Sequence, residues 1–377
     1  MRPTPIGYDK KKASRLMEER NIDVLVVTTP RNVFYTSGLP VGHAENNSIL
    51  FALSNQNPTI VVIYRNGEES LIAWHVYDAS LSWIEESQGI SSQAEASSAV
   101  VSFIKKAGLE KGIIGIESLS PYYVYEKLKQ SFPDATLKVA DDIFLEMILI
   151  KSDEEIKRIK EATRIAEKAI IDLVDAVAEG VSDLDFIKIA KLSLIQEGAA
   201  GFDHVTLSIG LSDPEAPGTG VKMKRGDATR FDIGAIYKGY YSDVSRHAIL
   251  GKVPSDVQEA FDATLYMQQA YVNAIKSGVS VAEVHKVAQE AYESTGREAT
   301  VFITIHSLGL QCEELLLVNP LTGPANRNFE ANMVMDIEAW TPHPECGLLG
   351  NEDTYVVTES GCKRISTLDR KIFPVIK

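Results

Sequence analysis

The chain has 377 residues, 45% of them apolar and 24% charged, with a net charge of −14. That length exceeds one ordinary hydrophobic core and points to two domains, while the acidic balance argues against nucleic acid or an anionic membrane as the main partner. No apolar run reaches the ~20 residues that span a bilayer, and the polar start MRPTPIGYDKKK lacks the apolar segment of a signal peptide, so a cytoplasmic protein is expected.

The first part alternates helix and strand patterns. Tyr8 to Asn21 reads as an amphipathic helix, and Asp23–Thr28, Ser48–Leu53, Thr59–Tyr64 and Gly112–Ile116 read as strands. Gln93–Ala107 and Pro121–Gln130 read as helices, which gives α/β order. Near EMILIKSDEEIKRIKEA the composition changes. Ser152 with Glu155 forms a capping box that opens a long helix to about Ala178. The domain boundary is placed there, giving residues 1–150 and 151–377.

Beyond it one order occurs twice. Helices 153–178 and 182–197 precede strands that end in a hairpin carrying Asp232 and Asp243. Helices 255–277 and 280–295 precede strands that end in a pair carrying Glu338 and Glu352. The expected fold class is α+β, with an internally duplicated second domain whose helices cover one face of a curved antiparallel sheet. Cys312, Cys346 and Cys362, without a C-x-x-C, are expected to be free thiols.

The hairpin poses a chemical problem. A two-residue turn at Lys238-Gly239 sets Tyr237 against Tyr240 and Asp232 against Ser245. Asp243 then shares the face of Asp232. Two like charges so close repel unless something positive lies between them, and a divalent metal is the economical solution. Aspartates near turns are ordinarily solvated, so the hairpin alone does not establish a metal. His306 adds to it at a strand end leading into a Gly-containing loop. Glu338 lies in the alternating strand MVMDIEAW, and Glu352 lies at the start of the next strand. One imidazole with four carboxylates suits Mn²⁺, Co²⁺, Fe²⁺ or Zn²⁺.

These stretches resemble the pita-bread superfamily of methionine aminopeptidase, aminopeptidase P, prolidase and creatinase. FDIGAIYKGYYSDVSR resembles D-x-G-x-x-x-x-G-Y-x-x-D-x-[ST]-R, and HSLGL resembles H-G-x-G-L. MVMDIEAW is similar to M-V-x-x-x-E-P, and NEDTYVVTESG to x-E-D-x-x-x-V-T-x-x-G. Upstream, ILIKSDEEI resembles the family's interdomain I-K-S-x-E-E-I, and PRNVFYTSG the N-terminal P-x-N-x-x-Y-x-x-G of the proline-peptidase and creatinase branch. The resemblance implies a C-terminal pita-bread domain behind a creatinase-type N-terminal domain. It also implies two divalent ions held by Asp232, Asp243, His306, Glu338 and Glu352, with Asp243 and Glu352 bridging and Glu338 as general base.

The sequence departs from the family in three places. Proline peptidases carry a histidine shortly before the first aspartate strand, where this chain has Pro217. Glu313 stands where a second histidine follows H-G-x-G-L. The arginine before the final Glu-Asp is absent in Gly350-Asn351-Glu352-Asp353. Losing one such donor typically costs a factor of ~10²–10³ in turnover. His343, in the loop TPHPECGLLG, is the best candidate for a replacement imidazole, although loops ordinarily carry solvated histidines, and Glu313 is either a solvated carboxylate or suited to a cationic group on the substrate. His247, at even spacing from Asp243, is a possible supporting partner, while His204 lies on a separate strand and is left out of the site. Trp74, Trp83 and Trp340 could line a site, although aromatic core is the commoner role.

The resemblance implies hydrolysis of a short peptide in the manner of an Xaa-Pro dipeptidase or aminopeptidase P, by a homodimer. Two alternatives stay open: a small-molecule C–N hydrolase or lyase on the same scaffold, acting on a small amide, and a non-catalytic relative.

Overall fold

The structure is a computed structural model that describes residues 2–40, 43, 58–213, 215, 217–297 and 300–376. The expected strand Ser48–Leu53 lies outside the described residues. The chain divides into two compact units, Met1–Leu149 and Ile150–Lys377.

The described part of the first unit carries a six-stranded sheet made of β1 (Val24–Val27), β2 (Ile60–Tyr64), β3 (Glu69–Trp74), β4 (Glu86–Ile90), β5 (Ile113–Ile116) and β6 (Thr136–Val139). The order is β4-β3-β2-β1-β5-β6. Val24, Val26, Ile60, Val62 and Ile72 pack on Ala96, Val100 and Ile104 of the helix Gln93–Lys106. The PRNVFYTSG motif forms a helix, Pro30–Ser37, that the sequence pattern does not reveal. Eight residues are too few for a helical period to stand out. Tertiary bonds hold it instead. Pro30 occupies the first turn, and the Glu117 carboxylate accepts from Thr28 N, Thr29 N (2.8 Å) and Asn32 Nδ2 (2.6 Å). Tyr35 donates to Met147 O at 2.9 Å. Gly38 ends the helix at φ +72°, under the ring of Trp83, where a side chain would collide.

The second unit opens with the helix Asp153–Ala176, whose Ser152/Glu155 capping box is present, followed by the helix Asp183–Gln196. Next come β7 (Gly201–Ile209), β8 (Ala228–Tyr237), β9 (Tyr240–Tyr241) and β10 (Val244–Leu250). The helices Ser255–Ala274 and Val281–Glu293 then repeat the order. They lead to β11 (Phe302–Ser307), β12 (Leu315–Asn319), β13 (Gly323–Pro324), β14 (Val334–His343), β15 (Gly347–Thr358), β16 (Gly361–Arg364) and β17 (Ile372–Val375). The sheet runs β13-β12-β11-β14-β15-β10-β8-β7, with β9 on β8, β16 on β15 and β17 on β10.

Period-two alternation divides this sheet into two faces. Phe231, Ile233 and Ala235 of β8, with Val244 and Ala248 of β10, pack on Ile165, Ala169, Leu173 and Phe186 of the first helix pair. Burying each large side chain there contributes about 1.5–3 kcal/mol. The helix Ser255–Ala274 covers β14 and β15, and Gln268 Nε2 donates to Ile337 O at 2.7 Å. The opposite face is left to polar side chains. This answers the hairpin problem: the apolar residues supply the core, and the carboxylates stand on the uncovered face.

Candidate metal centre

The register aligns that face in two rows. Asp232 pairs Ser245, Ser245 pairs Glu352, and Glu352 pairs Glu338, so one row crosses four strands. In the next row His306 pairs Asp336 and Asp336 pairs Thr354, while Thr354 Oγ1 donates to Asp243 O at 3.3 Å. The hairpin turn works as the sequence suggests. Lys238 and Gly239 both have positive φ, +48° and +82°, and Tyr237 faces Tyr240.

Asp232, Asp243, Glu338 and Glu352 line a cavity of about 410 Å³ together with Asp203, His204, Thr206, Glu215, Arg230, Gln311, Cys312 and Glu313. His306 is buried against it. Its Nδ1 lies 3.1 Å from Cys312 O, which fixes the ring. Its Nε2 lies 3.1 Å from Glu338 Oε1, 3.8 Å from Glu352 Oε1 and 3.9 Å from Asp243 Oδ2. None of these contacts has the alignment of a hydrogen bond.

A cation fits this donor set. Asp243, His306 and Glu352 bring ligand atoms within 4.8 Å of one another, and so do His204, Asp232 and Asp243. Burial, reinforced by Asp243 and Glu338, pushes the Glu352 carboxyl well above the usual range. Burial also raises Asp243. Against burial, Glu338 and Glu352 hold the His306 imidazole well above its ordinary pKa. Asp336, fully buried in the second row, is raised by burial, which the neighbouring His306 only partly offsets.

Several residues that the sequence does not assign to the site belong to it. His204 enters the site: its Nε2 lies 3.2 Å from Asp232 Oδ1 and 3.2 Å from Asp243 Oδ1. A register shift between Phe202 and Val205 on β7 aims it there, and alternation in sequence does not reveal such a bulge. Arg230, two residues before Asp232 and so on its face, pairs with Asp232 Oδ2 and with Glu215 Oε1 (3.0 Å). Its guanidinium lies 4.5 Å from the centre of the Trp340 ring. Burial opposes it, yet Arg230 holds Asp232 well below the carboxylate range. Its even spacing was the available signal. Cys312 Sγ donates to Asp243 Oδ2 at 2.8 Å. It comes from a loop, where spacing predicts nothing.

Two expectations change. His343 does not line the cavity: it ends β14, five residues or roughly 16 Å beyond Glu338, with Nε2 3.4 Å from Asp256 Oδ2 and Nδ1 accepting from Glu345 N. The segment expected as a loop around it is the end of a hairpin, because Pro344–Cys346 forms a tight turn. Glu352 therefore lies mid-strand. Of the two readings open for Trp340 both hold: it is a buried ring and a site residue, since its Nε1 donates to Glu338 Oε2 at 2.8 Å. His247 supports from behind: its Nε2 accepts from Gly350 N at 3.0 Å, and burial lowers it to about 3. Glu313 is exposed at the cavity rim. The cysteines are free.

Two buried ion pairs hold the site from behind. Lys151 of the IKS motif meets Glu314 at 2.6 Å, and Arg246 meets Asp353 at 2.7 Å, all four side chains without exposure. Arg246 also donates to Glu352 O at 2.8 Å.

Comparison with known proteins agrees with this geometry. Residues 157–359 match metallopeptidase family M24, and residues 10–147 match the creatinase/prolidase N-terminal domain. An Xaa-Pro dipeptidase of Pyrococcus horikoshii is 27% identical over 340 residues, covering 87% of this chain and 95% of the relative. One of Pyrococcus furiosus is 25% identical over 372 residues, covering 96% and 98%. In fold, the chain is similar to a Pyrococcus horikoshii dipeptidase (TM-score 0.83, 22% identity, 97% and 99% covered) and a Bacillus anthracis Xaa-Pro dipeptidase (0.82, 24%, 97% and 99%).

Proposed function

The chain belongs to metallopeptidase family M24, and from that premise we propose that it hydrolyses the amide bond of a short peptide as an Xaa-Pro dipeptidase does. The observation that carries this is one cavity lined by Asp232, Asp243, Glu338 and Glu352, drawn from both halves of the second unit, with the unbonded Nε2 of His306 turned toward the last three. In this reading those five residues hold two divalent ions, Mn, Co, Zn or Fe. Bound there, such ions supply a nucleophilic water of lowered pKa and polarise the scissile carbonyl.

The chain's own groups have distinct tasks. Glu338 is the general base that takes the water proton, with Trp340 Nε1 fixing one of its oxygens and His306 facing the other. Arg230 is the cation available to steady the substrate carbonyl or carboxylate where the family's imidazoles are missing. The rim carboxylates Asp203, Glu215 and Glu313 attract a substrate ammonium by charge complementarity. A homodimer in the cytoplasm belongs to the same reading. Among the described residues no helix is long and apolar enough to cross a membrane.

Metal content followed by turnover of Ala-Pro and Met-Pro in added Mn²⁺ or Co²⁺ tests the proposal. Two ions per chain with dipeptide cleavage supports it, and Glu352→Ala then abolishes both. Two ions with cleavage of small amides or amidines alone favours the C–N hydrolase, which the acidic rim and the missing imidazoles also suit. Full activity of metal-free Glu352→Ala refutes the metallohydrolase.

A further inference from the structure

We infer that His204 is a sixth metal ligand, completing with Asp232 and Asp243 a half-site that the other five donors leave short of one. This rests on the two-ion reading above and adds a residue to it.

Four observations carry it. First, His204 Nε2 is equidistant, at 3.2 Å, from one oxygen of each aspartate, and Asp243 Oδ1 is buried without a hydrogen bond. Second, His204 Nδ1 lies 3.2 Å from Asp203 Oδ2. A carboxylate on the far nitrogen fixes the tautomer and orients a metal-ligating imidazole. His306 repeats the arrangement, its Nδ1 on Cys312 O and its Nε2 toward the other carboxylates. Third, the sheet makes room for the ring: a Cβ on Gly234 would meet His204 Nδ1 at 2.5 Å. Fourth, Arg230 occupies Asp232 Oδ2. Asp232 can then offer that half-site only Oδ1, and the imidazole replaces the oxygen lost.

A nitrogen donor changes which ion the half-site prefers. Carboxylates alone suit Mn²⁺, whereas imidazole favours Co²⁺ and Zn²⁺. With His204 on one side and His306 on the other, each half-site has one nitrogen, and both ions are of the borderline kind.

The test is binding rather than turnover. Chelator-treated protein is titrated calorimetrically with Co²⁺ and with Mn²⁺. Two Co²⁺ sites are expected in the wild type. In His204→Ala one of them weakens more than tenfold while the other stays, and Co²⁺ affinity falls further than Mn²⁺ affinity. Asp203→Asn, which leaves the imidazole but loosens it, is expected to weaken the same site by ~10–100-fold. Gly234→Ala, which displaces the ring, is expected to match His204→Ala. Asp203 is exposed, so its result decides the case if His204→Ala fails to fold. Two unchanged Co²⁺ sites in Asp203→Asn and His204→Ala overturn the inference and leave the five-donor reading intact. A wild type that binds no Co²⁺ overturns both.

Discussion

Replacing Lys151 by Met isolates one of the buried ion pairs behind the site. The pair is short, 2.6 Å, and neither side chain reaches solvent. Removing one partner of such a pair costs about 3–5 kcal/mol, because the remaining charge stays buried. Glu314 keeps one donor, Leu310 N at 2.8 Å, which places the expected loss near the low end, about 3 kcal/mol. At 1.36 kcal/mol per decade that is about a 160-fold change in the unfolding equilibrium. Adding Glu314→Gln removes the charge but keeps an acceptor for Leu310, so the double variant is expected within about 1 kcal/mol of wild type. The assay follows Trp340, the one tryptophan of the second unit, through urea denaturation in a Trp74→Phe/Trp83→Phe background. The same loop carries the Cys312 carbonyl that holds His306, so the single variant is also expected to weaken metal binding. A single variant as stable as wild type, or a double variant as unstable as the single, refutes the reasoning.

Two further outcomes follow from the same geometry. Burial works to raise Asp183, but the backbone N–H groups of Thr219, Gly220 and Leu184 hold its pKa below the usual value. Its contribution is therefore full above the unfolded pKa of about 3.9 and is lost as pH falls through the lower folded value. Asp183→Asn is expected to cost about 1–3 kcal/mol at neutral pH, with the gap to wild type closing only below about pH 4; a gap independent of pH contradicts this. A Cβ at Gly350 would overlap Ala339 O and the Trp340 ring, so Gly350→Ala is expected to force β14 and β15 apart, at a cost of about 1–3 kcal/mol. Wild-type thermal stability and Trp340 fluorescence in that variant would show that the overlap does not exist.

Where strand register is set by local chemistry, the sequence was enough. The Lys238-Gly239 turn fixed Asp232 against Ser245, and alternation in MVMDIEAW put Asp336, Glu338 and Trp340 on one face. Where position depends on a bulge or a loop, it was not. His204 reaches the cluster through an irregularity in β7 that leaves no trace in residue type. Cys312 and Glu215 arrive from loops whose path is set by tertiary contacts. Arg230 was legible in principle, two residues from Asp232, but a cation among carboxylate ligands reads as an ordinary strand residue until its partners are seen. His343 is near Glu338 and Glu352 in sequence but not in space, because an extended strand carries neighbours apart.

By strand ladder alone, the two halves of the second unit are joined thinly. Between β10 and β15 the register holds at one pair, Ser245 with Glu352. Beyond it β10 leaves β15 and takes the C-terminal strand β17 as a parallel partner, His247 to Leu250 against Ile372 to Val375. Asp232 and Asp243 belong to one half, Glu338 and Glu352 to the other, and the joint closes a loop of more than a hundred residues. Such closure is slow, and here it also drives like charges together. In the two-ion reading, an ion held between them is a clasp across the seam where the ladder is shortest. In that reading, the groups that bind the ions also bind the two halves to each other.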